Sequence, residues 1–233
     1  MKLCILGNSH IASLKAAWDN GLSAAHPNTE ITFFGARRHL MLKLVEENGR
    51  LVAREDLVAQ SLATTSGGAT SIDPSVYDSL LVYGLSRNTN LQVGVLADGY
   101  SRAVREQAIT DYWDDANLLR LLKKLRRLTD TKIYAGHSPL EAATSDPTRP
   151  KGRYADYVAL SNDLVFRDLN AELIAQPEAT VVNGMGTDAG FSAGSTRLAV
   201  GKVNDDFEHR EEENRHMNAE FGGIWLQAFL ARL

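Results

Sequence analysis

An α/β fold, with a mostly parallel sheet covered by helices on both faces, is predicted by three observations. Short apolar runs alternate with segments of helical periodicity through most of the 233 residues. Four strand candidates end in glycine, at Gly7, Gly35, Gly84 and Gly136, so their turns are expected on one edge of the sheet. The length suits one domain over residues 1–233 with a sizeable core. Right-handed crossovers follow from that topology.

Lys2 to Leu6 is the first strand candidate. Gly7-Asn8-Ser9-His10 makes a turn, and Ile11, Leu14, Ala17 and Trp18 recur at helical spacing in a helix ending near His26-Pro27. Glu30 to Phe34 is the second strand. Met41 to Arg54 is broken by the turn pair Asn48-Gly49, and Leu51 to Leu62 suits a strand or a short helix. Thr64 to Asp73 reads as a loop and Tyr77 to Tyr83 as a central strand, followed by an irregular stretch over Leu85 to Asp98. Gly99 to Trp113 is helical. Asp114 or Asp115 can cap an amphipathic helix reaching Leu128, whose basic residues Lys123, Lys124, Arg126 and Arg127 suit a solvated face. Thr131 to Ala135 is a strand, Glu141 to Gly152 a long loop, Tyr154 to Ala175 a helix and Thr180 to Val182 a minimal strand. Asn183 to Ser195 is glycine-rich, Asp205 to Arg215 is charged, and Asn218 to Leu230 is the closing helix.

The bulk numbers exclude some functions. With 25 basic against 29 acidic residues, net −4, the chain lacks the basic footprint of a nucleic-acid binder. Its one cysteine, Cys4, lies in the first apolar run, so neither a disulfide framework nor a cysteine-based metal site is expected. No run reaches the length of a membrane span, and the first apolar stretch is too short for a signal peptide. A soluble, cytoplasmic protein with no membrane partner is the expectation; the oligomeric state is left open.

The chemistry-bearing candidate is Ser9. It stands in a turn at the carboxyl end of a strand and the start of a helix, where backbone N–H groups favour negative charge. Asn8 and Ser9 also suit a helix cap. A serine nucleophile needs a neighbouring base. Of the six histidines, His10 is expected to point away from Ser9, and His26 suits a helix end. His137 follows a strand and can line the site or be satisfied elsewhere. His216 opens the last helix, with Glu213 three residues earlier to orient its imidazole. Asp206 and His209 repeat the same acid-x-x-His spacing, so a second register is open.

These residues carry a resemblance. Gly7-Asn8-Ser9-His10 after an N-terminal strand resembles the first block of the SGNH (GDSL-type) hydrolase family. His216-Met217-Asn218, with Phe221-Gly222 beyond it, resembles the last block, and the order serine, then acid and histidine, spans nearly the whole chain. The resemblance implies a flavodoxin-like three-layer α/β/α sandwich and hydrolysis of acyl esters without a metal or organic cofactor. It implies Ser9 as nucleophile, His216 as general base and Glu213 in place of the usual aspartate. For the oxyanion hole it implies the Ser9 amide and Gly35, plus an asparagine in a Gly-x-Asn-Asp block. Here Gly84 matches that block but Ser86 and Arg87 replace Asn and Asp, leaving Ser86 or Asn88 as the substitute donor.

Arg37, Arg38 and Arg87 are expected at the mouth of this site, where they would attract an anionic substrate or face solvent as ordinary surface arginines. The leading expectation is therefore a serine esterase acting on a small-molecule or glycan ester, an O-acetyl ester among the candidates. The unmatched Ser86-Arg87 supports an alternative, a weak or inactive domain that binds a glycan or metabolite. A nucleotide-binding module is disfavoured, since the chain has neither Gly-x-Gly-x-x-Gly nor a Walker sequence.

Overall fold

Five parallel strands build the central sheet in a computed structural model that describes residues 1–87, 94, 96, 99–146, 148 and 153–233. They are β1 (Lys2–Gly7), β2 (Glu30–Gly35), β3 (Ser79–Tyr83), β4 (Ile133–Gly136) and β5 (Ala171–Leu173). Their spatial order is β2-β1-β3-β4-β5, the flavodoxin-like arrangement. The register aligns Gly7 with Gly35 and Tyr83, and Tyr83 with Gly136. The four expected turns therefore leave one edge of the sheet together, and the strand order reverses between β1 and β3, where open α/β sheets bind ligands.

Successive strand residues face opposite layers, as the two-residue period requires. Leu3, Ile5, Phe33, Leu81 and Tyr83 pack against α1 (Ile11–Ala17) and the closing helix, Ala219–Leu230. Cys4, Leu6, Phe34, Leu80 and Val82 face the other layer. That layer holds α2 (Asp56–Ser66), α3 (Arg102–Asp114), α4 (Asn117–Arg126) and α5 (Tyr154–Ser161), so the closing helix is α6. The result is a three-layer α/β/α sandwich. Cys4 is fully buried and acts as a small hydrophobe, burial pushing its thiol pKa up.

The segment expected as one helix over Tyr154 to Ala175 is a helix, two short irregular helical turns and then β5. Asn170, at φ 47°, reverses the chain just before β5. The undecided stretch Leu51 to Leu62 divides between a strand, Arg50–Val52, and the first half of α2. Val181–Val182 pairs outside the central sheet, in a small sheet with Gly186–Asp188, which also carries Ala142–Ala143. The stretches 85–98 and 141–152 lie partly outside the described residues.

The contact between α1 and α6 sets the distance between the two ends of the chain. A Cβ built on Gly222 would stand 2.0 Å from the Ser13 carbonyl oxygen, so the two helix backbones cross in direct contact there. Gly222→Ala is expected to destabilise the protein by about 1–3 kcal/mol through overpacking. Denaturant titration checks this; an unchanged midpoint would mean the helices separate without cost.

Candidate active site

The Ser9 turn is held from both sides. A Cβ at Gly7 would stand 2.3 Å from the Tyr83 carbonyl oxygen, so only glycine lets β1 lie this close to β3 at the turn. Asn8 Oδ1 accepts the His10 N–H at 3.2 Å, and the Asn8 and Ser9 carbonyls accept the Ile11 and Ala12 N–H groups. The Ser9 hydroxyl takes no part in capping α1. Its Oγ lies 2.9 Å from His216 Nε2, across 207 residues of chain. The Ser9 N–H has no hydrogen-bond partner among the described residues.

His216 is fixed by the residues that follow it. Met217 is buried. Asn218 caps α6, accepting the Phe221 N–H at 3.1 Å, and donates to the Phe191, Gly190 and Ala193 carbonyls. The asparagine and the Phe221-Gly222 pair of the sequence block are thus a cap and a helix crossing that aim the histidine. Glu213 Oε1 lies 3.4 Å from His216 Nδ1, within ion-pair reach but not aimed for a hydrogen bond, and it also accepts the Arg215 N–H at 2.9 Å. Burial holds the His216 pKa below the ordinary histidine value; Glu213 pulls it up and Arg215 pushes it down. A neutral imidazole with its proton on Nδ1, toward Glu213, leaves Nε2 to accept the Ser9 O–H.

His10 does not point away from Ser9, as adjacency suggested. Its backbone is already helical, at φ −67° and ψ −20°. Neighbouring side chains there diverge by about 100° rather than facing opposite ways as in a strand. The His10 ring stacks on His216 with centroids 4.7 Å apart, and His209 stacks on His216 at 4.2 Å. His10 Nδ1 is shut off from solvent and unpaired. His209 contacts the Ser195 hydroxyl at 3.2 Å, while Asp206 is exposed. It is therefore His216, not His209, that meets Ser9, and the register it shares with Glu213 is the one brought to the serine.

The expected oxyanion donors fare unequally. The Gly35 N–H donates to Thr65 Oγ1 at 2.9 Å in a buried contact, so it is not free to bind an oxyanion; this corrects its expected role. Ser86 Oγ accepts the Ser138 N–H at 2.7 Å and keeps its own O–H to donate. Asn88 lies outside the described residues.

Arg37 is likewise corrected. Its guanidinium donates to the Leu198 carbonyl and Asn204, and pairs with Asp205 at 2.8 Å. Burial raises the Asp205 pKa, but the Lys202, Val200 and Gly201 N–H groups and Arg37 outweigh it and hold it low. Arg37 fastens the loop ahead of His209, and that loop engages its guanidinium. Arg38 and Arg87 are exposed beside the Ser9 turn. His137 is buried and satisfied: its ring nitrogens contact the Ser138 carbonyl and the Tyr154 hydroxyl, and burial pushes its pKa down to about 4.

Two cavities flank Ser86-Arg87. One, of about 130 Å³, is lined by His10, Ser86, Arg87, Ser138, Glu141 and Arg215. The other, of about 290 Å³, opens toward Arg38 and the start of α4. Its place was not readable from spacing, because Arg120 reaches it from α4 and Asp115 from the turn before that helix, and no local pattern brings either to the Ser9 turn.

No family model and no curated protein matches the chain. Among solved structures, it is similar to the periplasmic domain of a lipopolysaccharide acetyltransferase from Salmonella ser. Paratyphi A. The identity is 11%, with 99% of this chain and 82% of that chain covered and a TM-score of 0.48. It is also similar to a gut microbial diltiazem-metabolizing enzyme at 12% identity, with 77% and 37% of the two chains covered and a TM-score of 0.36. Likeness this slight says nothing of substrate or site. Among the described residues no helix is long and apolar enough to cross a membrane.

Proposed function

We propose that this protein is a serine esterase of the SGNH (GDSL-type) kind, acting on small acyl esters through Ser9, His216 and Glu213. One observation carries the reading: Ser9 Oγ stands 2.9 Å from His216 Nε2, with a carboxylate 3.4 Å behind the imidazole. Ser9 Oγ attacks the ester carbonyl carbon and its proton passes to His216 Nε2. The tetrahedral intermediate collapses, the C–O bond to the alcohol breaks, and His216 returns the proton to the leaving oxygen. Water, deprotonated by His216, then releases the acid and restores Ser9. The Ser9 N–H and the Ser86 O–H are the donors for the oxyanion, and Glu213 stabilises the transient imidazolium.

The cavity of about 130 Å³ beside His10 supports a short acyl group. Exposure to p-nitrophenyl acetate followed by mass spectrometry is expected to find an acetyl group on the Ser9 peptide. Acetylation spread over lysines with none on Ser9 would overturn the reading.

A second reading, a weak or inactive domain that binds a glycan or metabolite, is favoured by one observation. The Gly35 N–H is taken by Thr65, and loss of one oxyanion donor typically costs about 100- to 1,000-fold in rate. Binding of an ester with no turnover above that of the Ser9→Ala variant would select it.

A further inference from the structure

The wall of the site on the side of α4 carries more positive charge than its ion pairs use. The cavity of about 290 Å³ is bounded by Asn8, Arg38, Ser86, Arg87, Asp115 and Arg120. Arg87 pairs with Asp115 Oδ2 at 2.5 Å, and Arg120 pairs with Asp115 Oδ1 at 3.1 Å. One carboxylate therefore answers two guanidinium groups. Arg38, exposed in the turn after β2, has no ion-pair or hydrogen-bond partner among the described residues. Its φ of 60° lies in the left-handed region that a side chain of this size rarely adopts.

Three guanidinium groups thus surround the cavity against one carboxylate, an excess of two positive charges, in a chain of net charge −4. General attraction of anions by the whole molecule is absent, so any preference for them must come from this local cluster. Each guanidinium has five N–H donors in a planar fork, and sharing Asp115 leaves most of them open. That fork matches the geometry of a carboxylate or a phosphate, with two parallel N–H···O bonds. Arg87 and Arg120 keep 73% and 53% of their side-chain surface in solvent, so their pairs with Asp115 yield readily to a ligand.

We propose that this cavity binds an anionic group, carboxylate or phosphate, on the alcohol portion of the ester cleaved at Ser9. The proposal rests on the esterase reading and deepens it: the smaller cavity takes the acyl group, Ser86-Arg87 divides the two, and Arg38, Arg87 and Arg120 select an acidic alcohol. Asp115 holds Arg87 and Arg120 in place when no anion is bound.

The test has two arms. Inorganic phosphate alone, titrated at low salt and followed by nitrogen-15 NMR of the arginine side chains, is expected to shift Arg38, Arg87 and Arg120 saturably. Arg38→Gly, a substitution suited to the φ of 60°, and Arg120→Ala are each expected to weaken that binding about tenfold. Phosphate that shifts no arginine, or binds Arg38→Gly and wild type alike, would be an adventitious ion only and overturn the proposal. In the second arm, kcat/KM is compared for an O-acetylated hexuronate, an O-acetylated hexose phosphate and the neutral O-acetylated hexose. The ratio of anionic to neutral is expected to fall about tenfold in Arg38→Gly, and the better anionic ester identifies the group. Equal ratios in wild type and variant would overturn the proposal while leaving the esterase standing. Phosphate binding at the arginines with no ester cleaved would overturn the esterase and leave the anion site.

Discussion

Replacing Ser9 with alanine is expected to abolish labelling by a fluorophosphonate probe and to lower kcat/KM on p-nitrophenyl acetate by about 1,000-fold or more. His216→Ala is expected to match it, while His209→Ala costs about tenfold or less. The ranking follows from geometry. Only His216 reaches the Ser9 hydroxyl, at 2.9 Å, whereas His209 meets Ser195 and touches the dyad through its ring face. Groups that act as a unit lose nearly everything when either is removed, so the Ser9→Ala, His216→Ala double variant is expected to be no worse than the singles. A residue that merely supports the His216 ring leaves the proton transfer in place and costs a fraction of that. Equal probe labelling of wild type and Ser9→Ala would remove Ser9 from the nucleophile role. A larger loss in His209→Ala than in His216→Ala would move the base to the upstream register.

What the sequence could disclose tracks how local the cause is. β1 to β4 were legible because each is a contiguous apolar run ending at a glycine or just before one. β5 was not: no glycine or proline separates Ala171–Leu173 from the helix ahead of it, and only Asn170, in a left-handed turn, marks the change. Ser9 and His216 were legible as residue types in two blocks at the ends of the chain. The fate of Gly35 and Arg37 was hidden, since Thr65 lies 30 residues from one and Asp205 lies 168 from the other. A side chain's availability depends on partners that no local pattern names. The Asp115 bridge was hidden for the same reason, although Asp115 itself was read as a helix cap.

The second large effect is a displacement of the pH profile, set by Glu213 at the stacked imidazoles. His216 stands between the rings of His10 and His209, at 4.7 and 4.2 Å, with Glu213 and Arg215 facing it from its own loop. It must be neutral to take the Ser9 proton, so activity is present above its pKa and lost as the pH falls through it. Burial holds that pKa below the ordinary value near 6.5, and burial together with the charge on His216 does the same to His10 and His209. Charge on any one ring disfavours charge on its neighbours. The charge on His216 lowers His209 and His10, so His216 takes its proton while they are neutral; His209→Phe, which keeps a ring on the stack, is therefore expected to leave the acid limb of kcat/KM in place. Glu213→Gln removes the carboxylate that pulls the His216 pKa up, so there the limb is expected to move to lower pH, with a lower plateau. An acid limb that moves in His209→Phe and stays in Glu213→Gln would transfer the tuning of His216 from the carboxylate to the stack. Nitrogen-15 NMR titration of His216 reads the same shifts with no substrate present. Folding stability is linked with the same sign. The unfolded chain protonates its histidines near 6.5, while burial pushes His137 to about 4 and keeps the stacked histidines low. Below about 6.5 the unfolded state therefore binds more protons, and the stability present above that pH is lost progressively toward 4.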